Sequence, residues 1–166
     1  MSNPPDILTL DADTADFITH HVAIVVASSS ADNMPSIARA YGCYVSEDRR
    51  AVTVMVLADH SMTLQADLRQ TGRIAVVVTN PSTHKTIQLK GLLESIIPIQ
   101  AIDRVCMQSF MDTFSEDIKA LGYDDAFARA FRPEATAAAV RIRFLPSAIF
   151  VATPGPKAGV LLKSSS

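Results

Sequence analysis

Apolar residues recur along this chain with two different periods, and the switches between them lay out the elements. The stretch Arg73 to Gly91, RIAVVVTNPSTHKTIQLKG, reads as two strands and a turn. Arg73 to Thr79 is apolar on both faces, with Ile74, Val76 and Val78 on one and Ala75 and Val77 on the other. That pattern predicts a strand covered on both sides, in the middle of a sheet. Asn80-Pro81-Ser82 supplies the turn, because proline fixes φ and the Asn and Ser side chains bond nearby backbone. The return strand alternates: Ile87, Leu89 and Leu93 face one way, and His84, Thr86, Gln88 and Lys90 the other. Such a polar row faces either water or a polar ligand.

The rest of the chain extends the pattern. Asp11 or Asp13 can cap a short helix carrying Ala15, Phe17 and Ile18 and ending near His20-His21. Adjacent histidines diverge on a helix, which argues against a shared metal. Val22 to Ala27 is an unbroken apolar strand, SSSADNMP is a turn in composition, and Ser36 to Val45 returns. On that return Ile37, Arg39, Tyr41, Cys43 and Val45 share one face. Ala38, Ala40 and Gly42 form a small face that lets another element come close. Ala51 to Leu57 is a third strand. Ser61 is placed to cap a helix running to Thr71, with Leu64 and Leu68 inward and Gly72 just past its end. Pro98 marks the start of a longer helix whose apolar stripe runs through Ile102, Cys106, Phe110, Phe114 and Ile118 to Gly122. That stripe reads as packing. A second short helix carries Phe127 and Phe131, with Asp124-Asp125 as caps. Val140 to Leu145 and Ser147 to Ala152 are closing strands broken at Pro146, followed by the loop Thr153 to Gly159. Residues 1–10 and 160–166 read as loose termini on a single domain spanning 1–166.

Composition narrows the function classes. A chain of 166 residues can bury a sizeable core, and 48% hydrophobic against 19% charged residues leaves an apolar surplus. Mean hydropathy is +0.21. The apolar runs are strand-length, well short of the ~20 residues a membrane helix needs, so the surplus implies a subunit interface and no membrane. Net charge is -2, without a basic footprint for nucleic acid. Cys43 and Cys106 lack metal-ligand spacing and fit buried thiols in a reducing, cytoplasmic setting; the N-terminus has no secretory pattern.

Candidate chemistry is sparse. The chain has no GxSxG, Walker loop, GxGxxG after a strand or HExxH. Asp59-His60-Ser61 contains triad residue types, but sequence neighbours cannot adopt triad geometry. Arg39 stands between Ile37 and Tyr41, and a guanidinium among apolar neighbours needs an anion, either a carboxylate of this chain or a bound phosphate. A helix start at Ser61 offers backbone N–H groups to an anion, although Asp59 close by opposes one. No side chain stands out as a nucleophile or general base, so an enzyme of this sequence would rely on a cofactor.

The order of elements, with RAYGCYVSEDRR, LRQTGRIAVVV and PSTHKTIQLKG, resembles the pyridoxamine 5′-phosphate oxidase-like family of flavin-binding split barrels. The likeness spans roughly residues 15–155. It implies a mainly β fold, a six-stranded antiparallel split β-barrel with peripheral helices, assembled as a homodimer with FMN at the subunit interface. It also implies an oxidoreductase with a small-molecule substrate or electron donor; the alternative is a non-catalytic flavin- or haem-binding module or a cofactor-free dimer. Relatives with a deazaflavin or haem make those the other cofactors to test. By similarity Arg39, Tyr41, Ser61, Lys85, Thr86, Gln88 and Lys90 fall where the family contacts its flavin. The chain departs from the family's oxidases at Ser61-Met62-Thr63, which lacks their basic residues, and it contains no Trp.

Overall fold

The computed structural model describes residues 7–165. Its strands are β1 (Ala23–Ser29), β2 (Pro35–Val45), β3 (Val52–Leu57), β4 (Arg73–Thr79), β5 (Thr86–Pro98), β6 (Ala139–Val151) and β7 (Leu161–Ser164). They form one antiparallel sheet in the order β3-β2-β1-β4-β5-β6-β7. β3 also pairs with β6, from Val52 opposite Phe144 to Leu57 opposite Ala139, so the first six strands close into a barrel. The helices are α1 (Ala12–Phe17), α2 (Met62–Thr71), α3 (Ala101–Ala120) and α4 (Asp125–Ala130). No helix among the described residues is long and apolar enough to cross a membrane.

Alternation fills the barrel. Ile24, Val26, Ala38, Ala40, Val54, Val56, Ile74, Val76, Val78, Leu89, Ile142 and Phe144 are buried in one cluster. Each large apolar side chain so buried contributes about 1.5–3 kcal/mol. The other face of β4 differs from expectation: Ala75 and Val77 are only half-buried. β4 lies inside the sheet, but the strand covered on both faces is β3, whose six residues are all buried. The reason is α3, which packs Met107 against Met55 and Leu57 on the outside of the barrel. Gly42 permits this approach, since a Cβ there would lie 2.5 Å from the Met55 methyl and 3.4 Å from the Met107 Cα.

Three further boundaries fall differently from the sequence pattern. β5 runs on through Pro98, and α3 begins only at Ala101, capped by Gln100 and Asp103. β6 continues through Pro146 without a break, because the proline, which has no N–H, sits where the β5–β6 register shifts between Lys90 and Gly91. Residues 161–164 form β7 on the edge of β6. At the other end, Leu8 and Leu10 are buried, and their N–H groups donate to Pro146 and Arg49 carbonyls. The remainder of the expected loose termini, residues 1–6 and 166, lies outside the described residues.

Local signals place the caps. Asp11 Oδ1 accepts from Thr14 N–H at 2.7 Å and starts α1. Asp124 Oδ1 does the same for α4 through Phe127 N–H at 2.7 Å. Gly72 ends α2 with φ +67°, its N–H donating to Leu68, a left-handed conformation that costs glycine nothing.

Candidate functional site

Two of the expected site residues, Arg39 and Tyr41, lie along the outer face of β2. Ile37, Arg39 and Tyr41 follow one another there, but the expected row stops at Tyr41. The β2–β3 register shifts between Ala40 and Cys43, a bulge that gives β2 one extra residue and reverses its faces. Cys43 consequently joins the barrel interior instead of the Arg39 face. Burial raises the Cys43 thiol pKa, and burial does the same to a smaller extent at half-buried Cys106. Both are poor nucleophiles, because the thiolate is the reactive form.

Arg39 is held by aromatic rings. Its guanidinium carbon lies 4.7 Å from the centroid of Phe114, 4.6 Å from that of Phe131 and 5.8 Å from that of Tyr41. Phe114 and Phe131 meet edge to face at 5.6 Å, so α3 and the end of α4 together present a cradle. None of the ion pairs among the described residues includes Arg39. Its Nε is buried without a hydrogen-bond partner. Burial lowers its pKa from the ordinary arginine value, with Tyr41 acting weakly the other way, and arginine nevertheless stays charged. The rings hold the guanidinium by cation–π contact, and its terminal N–H groups are the donors left for a ligand.

On either side of Arg39 the same strand lines a cleft. One, about 490 Å³, is bounded by Tyr41, Leu57, Asp59, His60, Phe131 and Glu134 among others. The other, about 540 Å³, involves Pro35, Ile37, His60, Met62, Thr63 and neighbours. Asp59 and His60 border both, on the single helical turn between β3 and α2. Ser61 stands at the N-cap of α2 as its position predicts, yet its side chain does not cap. Its buried hydroxyl donates to the Leu57 carbonyl at 2.6 Å and accepts from Gln65 Nε2 at 3.0 Å.

The β5 residues lie elsewhere on the barrel. Register places Arg39, Val25, Val77, Gln88 and Phe150 in one cross-strand row. Arg39 and Gln88 are therefore three strand spacings apart, roughly 14 Å. Lys90 is exposed with its ammonium 4.9 Å from the Phe150 ring centroid. Thr86 is buried, its N–H donating to Thr153 Oγ1 at 2.8 Å and its hydroxyl bonded to Thr79. His84, expected in the polar row, falls in the turn with φ +59°. Lys85 stacks on Phe17 of α1, 4.4 Å from the ring centroid. Within one chain, Tyr41 accompanies Arg39, Ser61 lies at the adjoining turn, and Lys85, Thr86, Gln88 and Lys90 stand apart.

Fold comparisons bear on this arrangement. No family model matches the sequence, and no curated protein matches it significantly. Among solved structures, HupZ of Group A Streptococcus aligns with TM-score 0.52 at 16% identity, over 91% of this chain and 100% of its own. An F420 reductase aligns with TM-score 0.51 at 14% identity, over 81% of this chain and 93% of its own. A candidate pyridoxamine 5′-phosphate oxidase from Lactobacillus delbrueckii aligns with TM-score 0.51 at 11% identity, covering 86% and 94%. The fold is a split barrel. Beyond the Phe114 and Phe131 cradle, the barrel leaves the Ile37 end of the outer β2 face open, with Ile37 at 68% exposure. Sequence reasoning missed Phe114 and Phe131 as partners of Arg39, and His60 as a lining residue. The phenylalanines carried only a helical stripe, and His60 only a triad-like tripeptide that geometry excludes.

Proposed function

We propose that the protein is a homodimeric FMN-binding oxidoreductase, with the cofactor's phosphate on Arg39. The observation that carries this is the charged, half-buried Arg39, cradled by Phe114 and Phe131 with a buried, unpartnered Nε and no carboxylate partner among the described residues. A dianionic phosphate offers acceptors to the terminal N–H groups of the guanidinium, and bonds to charged groups are worth about 1.5–3 kcal/mol each. The F420 reductase and the candidate oxidase that share the fold support a flavin-type cofactor. The family resemblance adds Ser61, Lys85, Thr86, Gln88 and Lys90 as further contacts. Because these stand apart within one chain, a second copy would have to bring them together.

Dimerisation is supported by the same face. Val25, Met34, Ile37 and Met62 are all exposed, and exposed apolar surface of this kind marks interaction sites. FMN would supply electron transfer between a nicotinamide donor and a small acceptor. The chain's part is to bind and orient: Arg39 neutralises charge, Tyr41 and Phe131 limit water, and His60 offers an imidazole to whatever enters the two clefts.

The test is the spectrum of purified protein, followed by titration with FMN and with riboflavin and by mixing with NADH or NADPH. The expected result is a flavin spectrum, tighter FMN than riboflavin, and reduction by a nicotinamide. Bound flavin that no donor reduces would leave a binding module. A Soret band or a deazaflavin spectrum would replace the cofactor, and FMN affinity no better than about 1 mM, roughly 4 kcal/mol, would overturn the reading.

A further inference from the structure

Another cleft lies away from Arg39, where three elements meet. Its walls are the end of α1 and following turn (Asp16, Thr19, His20), the β2–β3 hairpin (Tyr44, Ser46, Arg49) and the middle of α3 (Cys106, Ser109, Phe110, Thr113). Its volume is about 510 Å³, within the range of small-molecule sites. Phe110 forms a buried apolar floor.

Charge and polarity in this cleft are unevenly matched. Asp16 and His20 lie 3.8 Å apart at the rim of the cleft, where the Asp16 side chain is 85% exposed to water. Asp48 is occupied by the Ser46 hydroxyl and the Arg50 N–H, and the cations acting on it are Arg50 and Arg143. Arg49 takes part in no ion pair among the described residues. It occupies a left-handed turn position, φ +57°, where glycine or asparagine is the usual choice. The turn is fixed on both sides, by Arg49 N–H to Ser46 and by Leu10 N–H to the Arg49 carbonyl. Across the cleft, the exposed Ser109 hydroxyl makes no hydrogen bond among the described residues, and the Thr113 hydroxyl donates to the Phe110 carbonyl at 3.0 Å.

We infer that this cleft is a second binding site, for a small organic carboxylate with a compact apolar body. Arg49 takes the carboxylate, Ser109 donates to it or to a neighbouring polar group, and the body lies on Phe110. The site is independent of the flavin reading, since its lining includes neither Arg39 nor any of the three rings that cradle it.

The probe is benzoate, with neutral benzamide as control, titrated into the full chain while backbone amide resonances are followed. Benzoate is expected to move the Thr19, Ser46, Arg49, Ser109 and Thr113 amides saturably, and benzamide to leave them in place. Arg49→Gln, on an exposed turn, should weaken benzoate roughly tenfold or more, and Ser109→Phe should block it. Both variants should bind FMN as the parent chain does. Equal response to benzamide, unchanged affinity in Arg49→Gln, or shifts scattered over other surfaces would overturn the inference.

Discussion

Replacing Arg39 by methionine separates an anion anchor from a structural plug. Methionine keeps an unbranched stem between Phe114 and Phe131 and removes the charge. Two effects then oppose each other in the cofactor-free protein. The lost cation–π contacts, at 4.7 and 4.6 Å, are worth about 0.5–2 kcal/mol. Removing the buried, unpartnered Nε recovers about 1–3 kcal/mol of desolvation. The net change in folding stability should stay within about 1 kcal/mol, and Tm within about 4 °C for a chain of this size. FMN binding has no such compensation: one or more charge-assisted bonds disappear, weakening it roughly 10- to 150-fold, while riboflavin, without the phosphate, should lose far less. Urea unfolding of the cofactor-free protein and paired titrations with the two ligands read both quantities. Destabilisation beyond about 2 kcal/mol without cofactor, or equal losses for both ligands, would refute the anchor and make Arg39 a packing residue.

Other expectations follow from particular contacts. Gly91→Ala should destabilise by about 3 kcal/mol or more, because its Cβ would lie 2.3 Å from the Leu145 carbonyl oxygen, which is backbone. Gly42→Ala should cost about 1 kcal/mol, since the nearest atom is the mobile end of Met55; thermal melts of the two variants test the contrast. Asp11→Ala should cost about 1 kcal/mol through the lost cap of α1. The Thr14 N–H holds the Asp11 pKa below its ordinary value, so this contribution should persist above about pH 4 and fade as pH drops through the folded pKa, as parallel acid titrations of the two proteins would reveal. Ile37→Asp should convert a stable dimer to monomer in sedimentation if the open face of β2 is its interface, with roughly 2,000 Å² or more buried in total; a wild-type monomer at micromolar concentration would refute the assembly.

The periods of the sequence determined most of the elements, because strand alternation and helical stripes are local. The barrel strands, α2 with its Gly72 end, and the Asp11 and Asp124 caps depend on residues within a few positions of one another. Tertiary structure decided what those elements bury. β3 rather than β4 is covered on both faces because α3 lies over Met55 and Leu57, a close approach that the glycine at 42 eases. Pro146 reads locally as a strand break and Pro98 as a helix start. Both became strand residues, Pro146 where a register shift absorbs its missing N–H and Pro98 where β6 continues beside the end of β5. The bulge at Tyr41 and Gly42 sent Cys43 inward, breaking an alternation that the residue types alone support. The sequence identified Arg39 as a charge in need of company. Only the packed chain supplied that company, since Phe114 and Phe131 reach β2 from distant helices and their spacing records packing rather than the residue they meet.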